Sequence, residues 1–191
     1  MDFFDYDTRI QPLTGRLLVS EPWLPDENFE RSVVLLCAHD AEGSFGFVMN
    51  KPSETLVESV FDGFPQSEQV AFVGGPVGLD TLHMVHCFPS VSGAQELLPG
   101  VFWGGDSEEL REMAVLGRCD STRIRFMLGY SGWGPGQLDD ELRSHSWIVS
   151  DKVDIRLLFG TAPGRMWSDA LRYLGGRFSR YANYPADPRL N

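Results

Sequence analysis

The segment from Gly129 to Gln137 has the residue types that most readily suggest a binding site. Four glycines in eight residues connect a predicted strand to a predicted helix, and glycines let backbone N–H groups converge on an anion at a helix N-terminus. Tyr130 and Trp133 could supply a stacking face for a ligand. The alternative is a tight turn whose glycines take positive φ and whose aromatic rings pack on the core, and we favour this alternative.

Two further turns could belong to the same site. Asn50, Lys51 and Pro52 follow one predicted strand, and Gly74-Gly75-Pro76 follows another. If these strands are neighbours, the two turns and the glycine-rich segment would surround one cleft. Lys51 would then supply a positive charge for an anionic ligand, although it is equally well explained as a solvated turn residue.

The cysteines and histidines do not form a recognisable reactive or metal-binding pattern. Cys37 and His39 would share one face of a strand, but about 6.5–7 Å apart, which is too far for a thiolate–imidazole pair. His83 and His86, with Cys87 beside them, lie in a predicted strand whose side chains alternate between faces, so they cannot share one ion. We therefore expect structural histidines, no metal and no cofactor.

Known catalytic motifs are missing from the sequence. It contains no G-x-S-x-G elbow, phosphate-binding loop, dinucleotide fingerprint or H-E-x-x-H pair. The acidic groups at 108–109 and 139–141 lie at predicted helix starts, where carboxylates complement the helix dipole. We nominate no catalytic residue, and the sequence favours a non-enzymatic role.

The length and composition are those of one globular domain. The chain has 191 residues, of which 42% are hydrophobic and 23% charged, which is ordinary usage for a domain that can bury its own core. We expect a single domain over residues 1–191, with residues 1–14 and 177–191 as peripheral tails.

Cysteine usage and hydropathy indicate the compartment. Three cysteines form no C-x-x-C spacing, which argues against a disulfide framework and for a reducing environment. The N-terminus lacks the basic start and apolar stretch of a signal peptide, and no run approaches 18 apolar residues. We therefore expect a cytoplasmic protein without membrane contact.

The charge is uneven along the chain. Residues 1–110 carry 18 acidic and 4 basic side chains, and residues 111–191 carry 9 acidic and 12 basic ones, for a net charge of −11. An acidic body repels a phosphate backbone, so direct nucleic-acid binding is disfavoured. The basic C-terminal stretch is dilute and is best explained as a solvated helix face and a tail; its arginines are Arg165, Arg172, Arg177, Arg180 and Arg189.

Hydrophobic periodicity and turn residues predict an α+β fold. Strands are predicted at 15–20, 31–38, 44–49, 69–73, 81–88, 101–103, 122–128 and 147–149. Helices are predicted at 54–61, 106–116, 135–142 and 164–174. The strand at 31–38 is apolar without alternation, which indicates burial on both faces, whereas the strand at 122–128 alternates and is predicted to be half-buried. Asp106 is the expected N-cap of the second helix, and Pro135 the expected first residue of the third.

Four long motifs resemble the YqgE/AlgH family of bacterial proteins. They are GRLLVSEPWLPDENFERSVVLLCAHDAEGSFGFVMNKP (15–52), VGGPV (73–77), LGYSGWGPGQLDDEL (128–142) and LLFGTAPGRMWSDALRYLG (157–175). They occur in the family's order and cover nearly the whole chain. Ala38 departs from the pattern, since the family often has a glutamate there.

The resemblance implies a fold but no reaction. It implies a mixed, mainly antiparallel sheet curled into a small barrel and flanked by helices, and a transcriptional-regulator label that some members carry. Family catalytic residues do not exist to carry over. The positions that match the motifs are binding candidates: Arg31, His39, Asn50, Lys51, Gly74, Gly75, Tyr130, Gly132, Trp133, Gly134 and Gln137.

Two functions remain open at this point. The first is a non-enzymatic regulatory or accessory protein that acts through contacts with a partner protein. The second is a binder of, or an enzyme acting on, an anionic small molecule or nucleotide at the segment 129–137.

Overall fold

The computed structural model describes residues 10–185 of the chain. Its strands are β1 (Leu17–Ser20), β2 (Val33–Asp40), β3 (Gly43–Val48), β4 (Pro52–Leu56), β5 (Val70–Val73), β6 (Val77–His86), β7 (Ala94–Leu98), β8 (Val101–Gly104), β9 (Ile124–Trp133) and β10 (Trp147–Ser150). Its α-helices are α1 (Ser107–Val115), α2 (Gln137–Arg143), α3 (Pro163–Leu174) and α4 (Phe178–Tyr181). A 3-10 turn covers Val57–Ser59 and a π-helical turn covers Arg156–Gly160.

The strands form one curled sheet. Its main path runs β10-β1-β2-β3-β9-β6-β8-β7, and β4 joins it through β5, which pairs with β9. The β5–β9 pair is parallel, and the other described pairs are antiparallel. The path curls without closing into a ring. The expected α+β class, with a mainly antiparallel, curled sheet and flanking helices, is confirmed, but the sheet does not close into the expected small barrel.

The central strand is β9, which contacts three neighbours. It pairs with β6 on one side, and with β5 and then β3 on the other. The predicted glycine-rich turn at 129–136 is therefore wrong for residues 129–133, which continue the strand. The glycines permit close approach between backbones: a Cβ on Gly75 would lie 2.2 Å from the Tyr130 carbonyl carbon, and one on Gly129 would lie 2.6 Å from the Val77 oxygen.

Two other sequence predictions need correction in this sheet. The predicted helix at 54–61 is instead β4 followed by the 3-10 turn, because Leu56 pairs with Val70 and Val57 donates its N–H to the Gln69 carbonyl. The strand β9 was expected to be half-buried, yet Ile124, Arg125, Phe126 and Met127 are all buried. The second face of β9 is covered by the core cluster that also contains Phe159 and α3 residues.

The remaining strand predictions agree with the structure. The predictions at 15–20, 31–38, 44–49, 69–73, 101–103 and 147–149 correspond to β1, β2, β3, β5, β8 and β10. The strand β6 begins four residues before the predicted start at 81, and β7 is not among the predicted strands. Burial of β2 on both faces is confirmed, since residues 33–37 are all buried.

Helix ends follow local capping chemistry. The Asp106 carboxylate accepts N–H bonds from Glu108 and Glu109 and so caps α1 as predicted. The expected helical start at Pro135 is wrong, because Gly136 takes φ 74° as the N-cap and α2 begins at Gln137. Within residues 10–185, no helix combines the length and apolar character that crossing a membrane requires.

Three hydrophobic clusters hold these layers together. The largest lies between the sheet and α3, where the Trp167 indole also donates to the Ser20 carbonyl at 2.9 Å. A second lies beneath α1 and contains Phe126 and Leu110, and a third lies beneath α2 and contains Trp133 and Trp147. Because β2 and β9 bury residues on both faces, β2 contributes to two of these clusters and β9 to all three.

The C-terminal part of the described chain packs on the largest cluster. Ala182 is buried in it, and Phe178 and Tyr181 of α4 pack against it. Residues 177–185, which we expected to be part of a peripheral tail, therefore contact the core. The rest of the expected tails, residues 1–9 and 186–191, lies outside the described residues.

The close approach of the β9 backbone to Gly75 predicts that a methyl group at this position destabilises the protein. We expect Gly75→Ala to lose about 3 kcal/mol of unfolding free energy, because the new methyl group meets backbone atoms of β9 that cannot move aside. Gly93→Ala is the control, since its φ is 72° but nothing lies within 4 Å of the added Cβ. It should lose only about 1 kcal/mol from the left-handed backbone. Urea unfolding measures both, and equal losses would contradict this account.

Candidate functional site

Hydrogen bonds to α2 engage the polar groups of the glycine-rich segment. The Trp133 indole is buried in the cluster beneath α2 and donates to the Glu141 carboxylate at 2.8 Å, and the Trp147 indole donates to the same oxygen at 2.7 Å. The other Glu141 oxygen accepts from the Gln137 amide at 3.0 Å, and the Gly134 N–H donates to the Gln137 carbonyl at 3.0 Å. These hydrogen bonds therefore connect the start of α2 to the sheet through Trp133, Gly134 and Gln137.

The aromatic and histidine candidates near this segment also pack internally. Tyr130 meets Phe45 edge-on, with ring centroids 6.2 Å apart, and Gly132 pairs with Phe45 across β3 and β9. The His39 ring shares a 2.7 Å hydrogen bond with the Ser44 hydroxyl in the β2–β3 hairpin. These contacts position the hairpin on β9.

The cysteine thiols are kept in their neutral form by burial. Burial raises the pKa of Cys37 far above that of an exposed thiol, and Cys37 contacts the Leu35 carbonyl rather than His39. Burial also raises the pKa of Cys119 to about 11 and that of Cys87 by a smaller amount. A thiolate is the reactive form of cysteine, so these groups do not fit nucleophilic chemistry.

The two β6 histidines face opposite sides of the sheet, as predicted from strand alternation. His83 packs on Phe47 with ring centroids 5.1 Å apart, whereas His86 lies between Phe88 and Phe102. His86 shares a 2.9 Å bond with the Gly104 carbonyl and accepts the Phe88 N–H on Nδ1. Across residues 10–185, no group of three or more histidine, cysteine or acidic side chains is arranged to hold a metal ion.

The turns at Asn50 and at Gly74 meet in one cleft of about 460 Å³. The Asn50 amide bridges two backbone groups, accepting from the Val33 N–H and donating to the Arg31 carbonyl. The Lys51 ammonium donates to the carbonyls of Glu27 and Asn28 at 2.8 and 2.7 Å. Gly75 lines the cleft and Gly74 packs against β9. Lys51 therefore holds the loop 22–30 in place, and Asn50 holds the start of β2.

Arg31 occupies a strained position beside the C-terminal segment. Its φ is 47°, its guanidinium lies 4.5 Å from the Trp167 ring centroid, and Nη2 donates to the Tyr184 carbonyl at 2.5 Å. The Nε atom is buried without a hydrogen-bond partner among the described residues. Arg31 therefore links the loop 22–30 to α3 and to the end of the described chain.

A larger cleft, of about 670 Å³, lies on the other side of Pro52 and contains an arginine that the sequence did not single out. We call it the Arg125 cleft. Its lining residues are Pro52, Glu68, Gln69, Val70, Phe72, Asp120, Ser121, Ile124, Arg125, Phe159, Gly160, Thr161, Ala162 and Pro163. They come from β4, β5, β9 and the segment that enters α3.

Arg125 is buried without an ionic partner. Its side chain is 4% exposed, and its guanidinium lies 4.4 Å from the Phe72 ring centroid. Nη1 donates to the Met49 carbonyl at 2.6 Å, while Nε is buried without a partner. Within the described part of the chain, the guanidinium forms no ion pair and Nη2 forms no hydrogen bond.

The free edge of this guanidinium has a defined geometry. Nε and Nη2 form one side of the planar fork, and their N–H bonds run parallel, which matches two oxygens of a carboxylate or phosphate. Burial lowers the pKa of Arg125 to about 10, so the group stays charged at neutral pH. A buried charge without a counter-ion is costly, and proteins normally pair it.

The N-terminus of α3 lies at the same cleft. Thr161, the N-cap Ala162 and the first helical residue Pro163 all line it. Among the described residues, no side chain caps this helix. The N-terminus of a 12-residue helix carries partial positive charge, so it adds to the field of Arg125 and favours an anion.

Comparisons with known proteins identify the family and the fold. The AlgH-like family model matches residues 17–179. A UPF0301 protein from Cytophaga hutchinsonii is 42% identical over 179 residues, which are 93% of this chain and 98% of that protein. A UPF0301 protein from Chlorobium limicola is 42% identical over 178 residues, which are 93% of this chain and 95% of its own length.

Two solved structures have the same fold. The solution structure of the AlgH protein from Pseudomonas aeruginosa has a TM-score of 0.72 and 26% identity, covering 93% of this chain and 97% of that one. The crystal structure of protein DIP2367 from Corynebacterium diphtheriae has a TM-score of 0.76 and 23% identity, covering 92% of this chain and 94% of that one.

The shared acceptor at Glu141 gives a stability prediction. We expect Glu141→Ala to cost about 3 kcal/mol, because it leaves two buried indole N–H groups without an acceptor. Glu141→Gln keeps one acceptor oxygen and should cost only about 1 kcal/mol. Chemical unfolding separates the two variants. If both unfold at the same denaturant concentration, the carboxylate does not hold the indoles as described.

His86 gives a pH prediction. Burial lowers its pKa in the folded state, so its contribution to stability is complete above about pH 6.5, the ordinary histidine pKa, and is lost as pH falls through the lower, folded value. We expect His86→Phe, which keeps a ring between Phe88 and Phe102, to weaken the loss of stability between neutral and mildly acidic pH. Urea unfolding at a series of pH values tests this, and an unchanged pH slope would refute it.

Proposed function

We propose that the chain, which belongs to the AlgH-like family, is a non-enzymatic accessory protein that binds a small anionic molecule in the Arg125 cleft. The carrying observation is the buried guanidinium whose Nε and Nη2 edge has no partner in the described residues. A carboxylate or phosphate that reached this edge would form two parallel, charge-assisted hydrogen bonds.

The cleft has the size and composition of a small-molecule site. Its volume of about 670 Å³ suits a metabolite. Phe72, Ile124 and Phe159 supply apolar walls, and Gln69, Ser121 and Thr161 supply neutral hydrogen-bonding groups. A mostly apolar wall with few polar groups around a buried charge is typical of sites that orient a ligand.

This location replaces the glycine-rich segment as the proposed anion site. The side chains of Trp133 and Gln137 and the Gly134 N–H are engaged with Glu141 and α2. The Lys51 ammonium is engaged with two carbonyls, and Asp26 and Glu30 lie near enough to act on its pKa. Arg125 differs from the glycine-rich segment and from Lys51, because its Nε and Nη2 groups have no hydrogen-bond partner among the described residues.

The roles of the remaining candidates support binding rather than catalysis. Cys37 is a buried neutral thiol, His86 spans two backbone groups, and His39 bonds Ser44. None of these side chains lines the Arg125 cleft. A ligand that neutralises Arg125 would stabilise the contacts between β5, β9 and α3, which gives an accessory protein a way to report ligand binding to a partner protein.

Arg125→Met tests the proposal. In buffer free of multivalent anions, we expect the variant to be at least as stable as the wild type, because methionine replaces an unpaired buried charge. Inorganic phosphate or a short carboxylate near 100 times its dissociation constant should stabilise the wild type by about 2.7 kcal/mol. The melting temperature should then rise by about 5–10 °C, and Arg125→Met should show no such rise.

The matched control is Arg123→Met. Arg123 lies two residues away and contacts the Phe88 ring at 4.7 Å, outside the Arg125 cleft. The Arg123→Met variant loses one positive charge, as Arg125→Met does, and should keep the wild-type response to anions. Differential scanning fluorimetry and calorimetric titration measure both variants. A wild type that responds to no anion, or an Arg125→Met variant that responds like the wild type, would refute the proposal.

A further inference from the structure

The Arg125 cleft has a second, negative pole. Glu68 and Asp120 also line it, and both are exposed. Apart from these two carboxylates and Arg125, the lining residues carry no charge. The cleft therefore presents a buried cation at its floor and two acidic groups at its rim.

Strand topology explains why the two acidic residues meet. The strands β5 and β9 run parallel, with Phe72 opposite Met127. Glu68 comes just before β5 and Asp120 comes just before β9. Because parallel strands begin at the same edge of a sheet, the two carboxylates lie at one edge, whereas Arg125 extends over the sheet face onto Phe72.

The two carboxylates have acceptor capacity to spare. The Glu68 carboxylate forms no hydrogen bond or ion pair with the described part of the chain. The Asp120 carboxylate uses Oδ1 to accept from the Thr122 N–H and hydroxyl, which leaves Oδ2 open. A plain anion that enters this cleft is attracted by Arg125 and repelled by the rim.

We infer that the ligand is a zwitterion: a small molecule whose carboxylate or phosphate binds the Nε and Nη2 edge of Arg125 and whose ammonium group lies between Glu68 and Asp120. The inference rests on the proposed function, since it assigns chemistry to the same site. The ammonium group of such a ligand is attracted by the two rim carboxylates, which repel a plain anion. A zwitterionic ligand also explains why a cleft with a net negative lining contains a buried arginine. Amino-carboxylates and amine-bearing phosphate esters are the two classes that have both groups.

Matched ligand pairs test the inference by calorimetric titration of the full chain. Acetate, propionate and butyrate are compared with glycine, β-alanine and 4-aminobutyrate, and ethyl phosphate is compared with O-phosphoethanolamine. We expect at least one ammonium-bearing member to bind roughly fivefold more tightly than its twin, since exposed ion pairs contribute modestly. The chain length that binds best reports the separation of the two poles.

Variants of the two rim carboxylates test whether they cause the difference in affinity between the twin ligands. Glu68→Gln combined with Asp120→Asn should abolish the difference between twins, because the amides keep hydrogen-bonding capacity and lose the charge. Asp80→Asn, an exposed position on β6 outside the cleft, is the control and should keep the difference. Arg125→Met should abolish binding of both twins.

The outcomes separate this inference from the proposed function. If every twin pair binds with equal affinity and Arg125→Met abolishes binding, the zwitterion inference is wrong and the proposed function stands. If no ligand of any pair binds, both are wrong. A preference for the amine that survives in the double rim variant also overturns the inference.

Discussion

The structure depends on the close pairing of β9 with three other strands. Its backbone meets β6 on one side, and β5 and β3 on the other. That arrangement needs glycine at Gly75 and Gly129, where a methyl group would overlap neighbouring backbone atoms. It also places β9 in the middle of the sheet, where the cluster with Phe159 and α3 covers one face and the cluster beneath α1 covers the other. Arg125 is thereby buried on a face that would otherwise be open to water.

Burial without a counter-ion among residues 10–185 is the reason for proposing Arg125 as the binding group. An arginine can be buried cheaply when a carboxylate pairs with it, as the desolvation penalty is then partly offset. Among the described residues, one carbonyl and one aromatic ring contact the guanidinium, Nε is buried without a partner, and the residue lines a cleft. A stored electrostatic cost at a binding site is a known trade of stability for function. The same reasoning separates Arg125 from Lys51, whose ammonium has two carbonyl partners.

The sequence predicted the layers well, whereas the Arg125 cleft was not among its predictions. Strong local signals, such as the apolar run of β2 and the Asp106 cap, gave correct elements. The preference for core packing of Trp133 was also correct. The helix at 54–61 failed because pairing with β5 outweighed its helical spacing. Arg125 was missed because the alternation at 122–128 indicates one solvent-exposed face, and the residues that cover this face, Phe159 and those of α3, are distant in sequence. Contacts such as Lys51 with the Glu27 carbonyl depend equally on tertiary structure.

Side-chain NMR can show whether an anion completes the coordination of Arg125. The Arg125 Nε–H resonance is assigned by its loss in Arg125→Lys and followed while inorganic phosphate or O-phosphoethanolamine is added. We predict that it shifts and saturates with the calorimetric affinity, while the Arg123 Nε–H resonance stays in place. A ligand that binds and stabilises the protein without moving the Arg125 resonance would contradict the account.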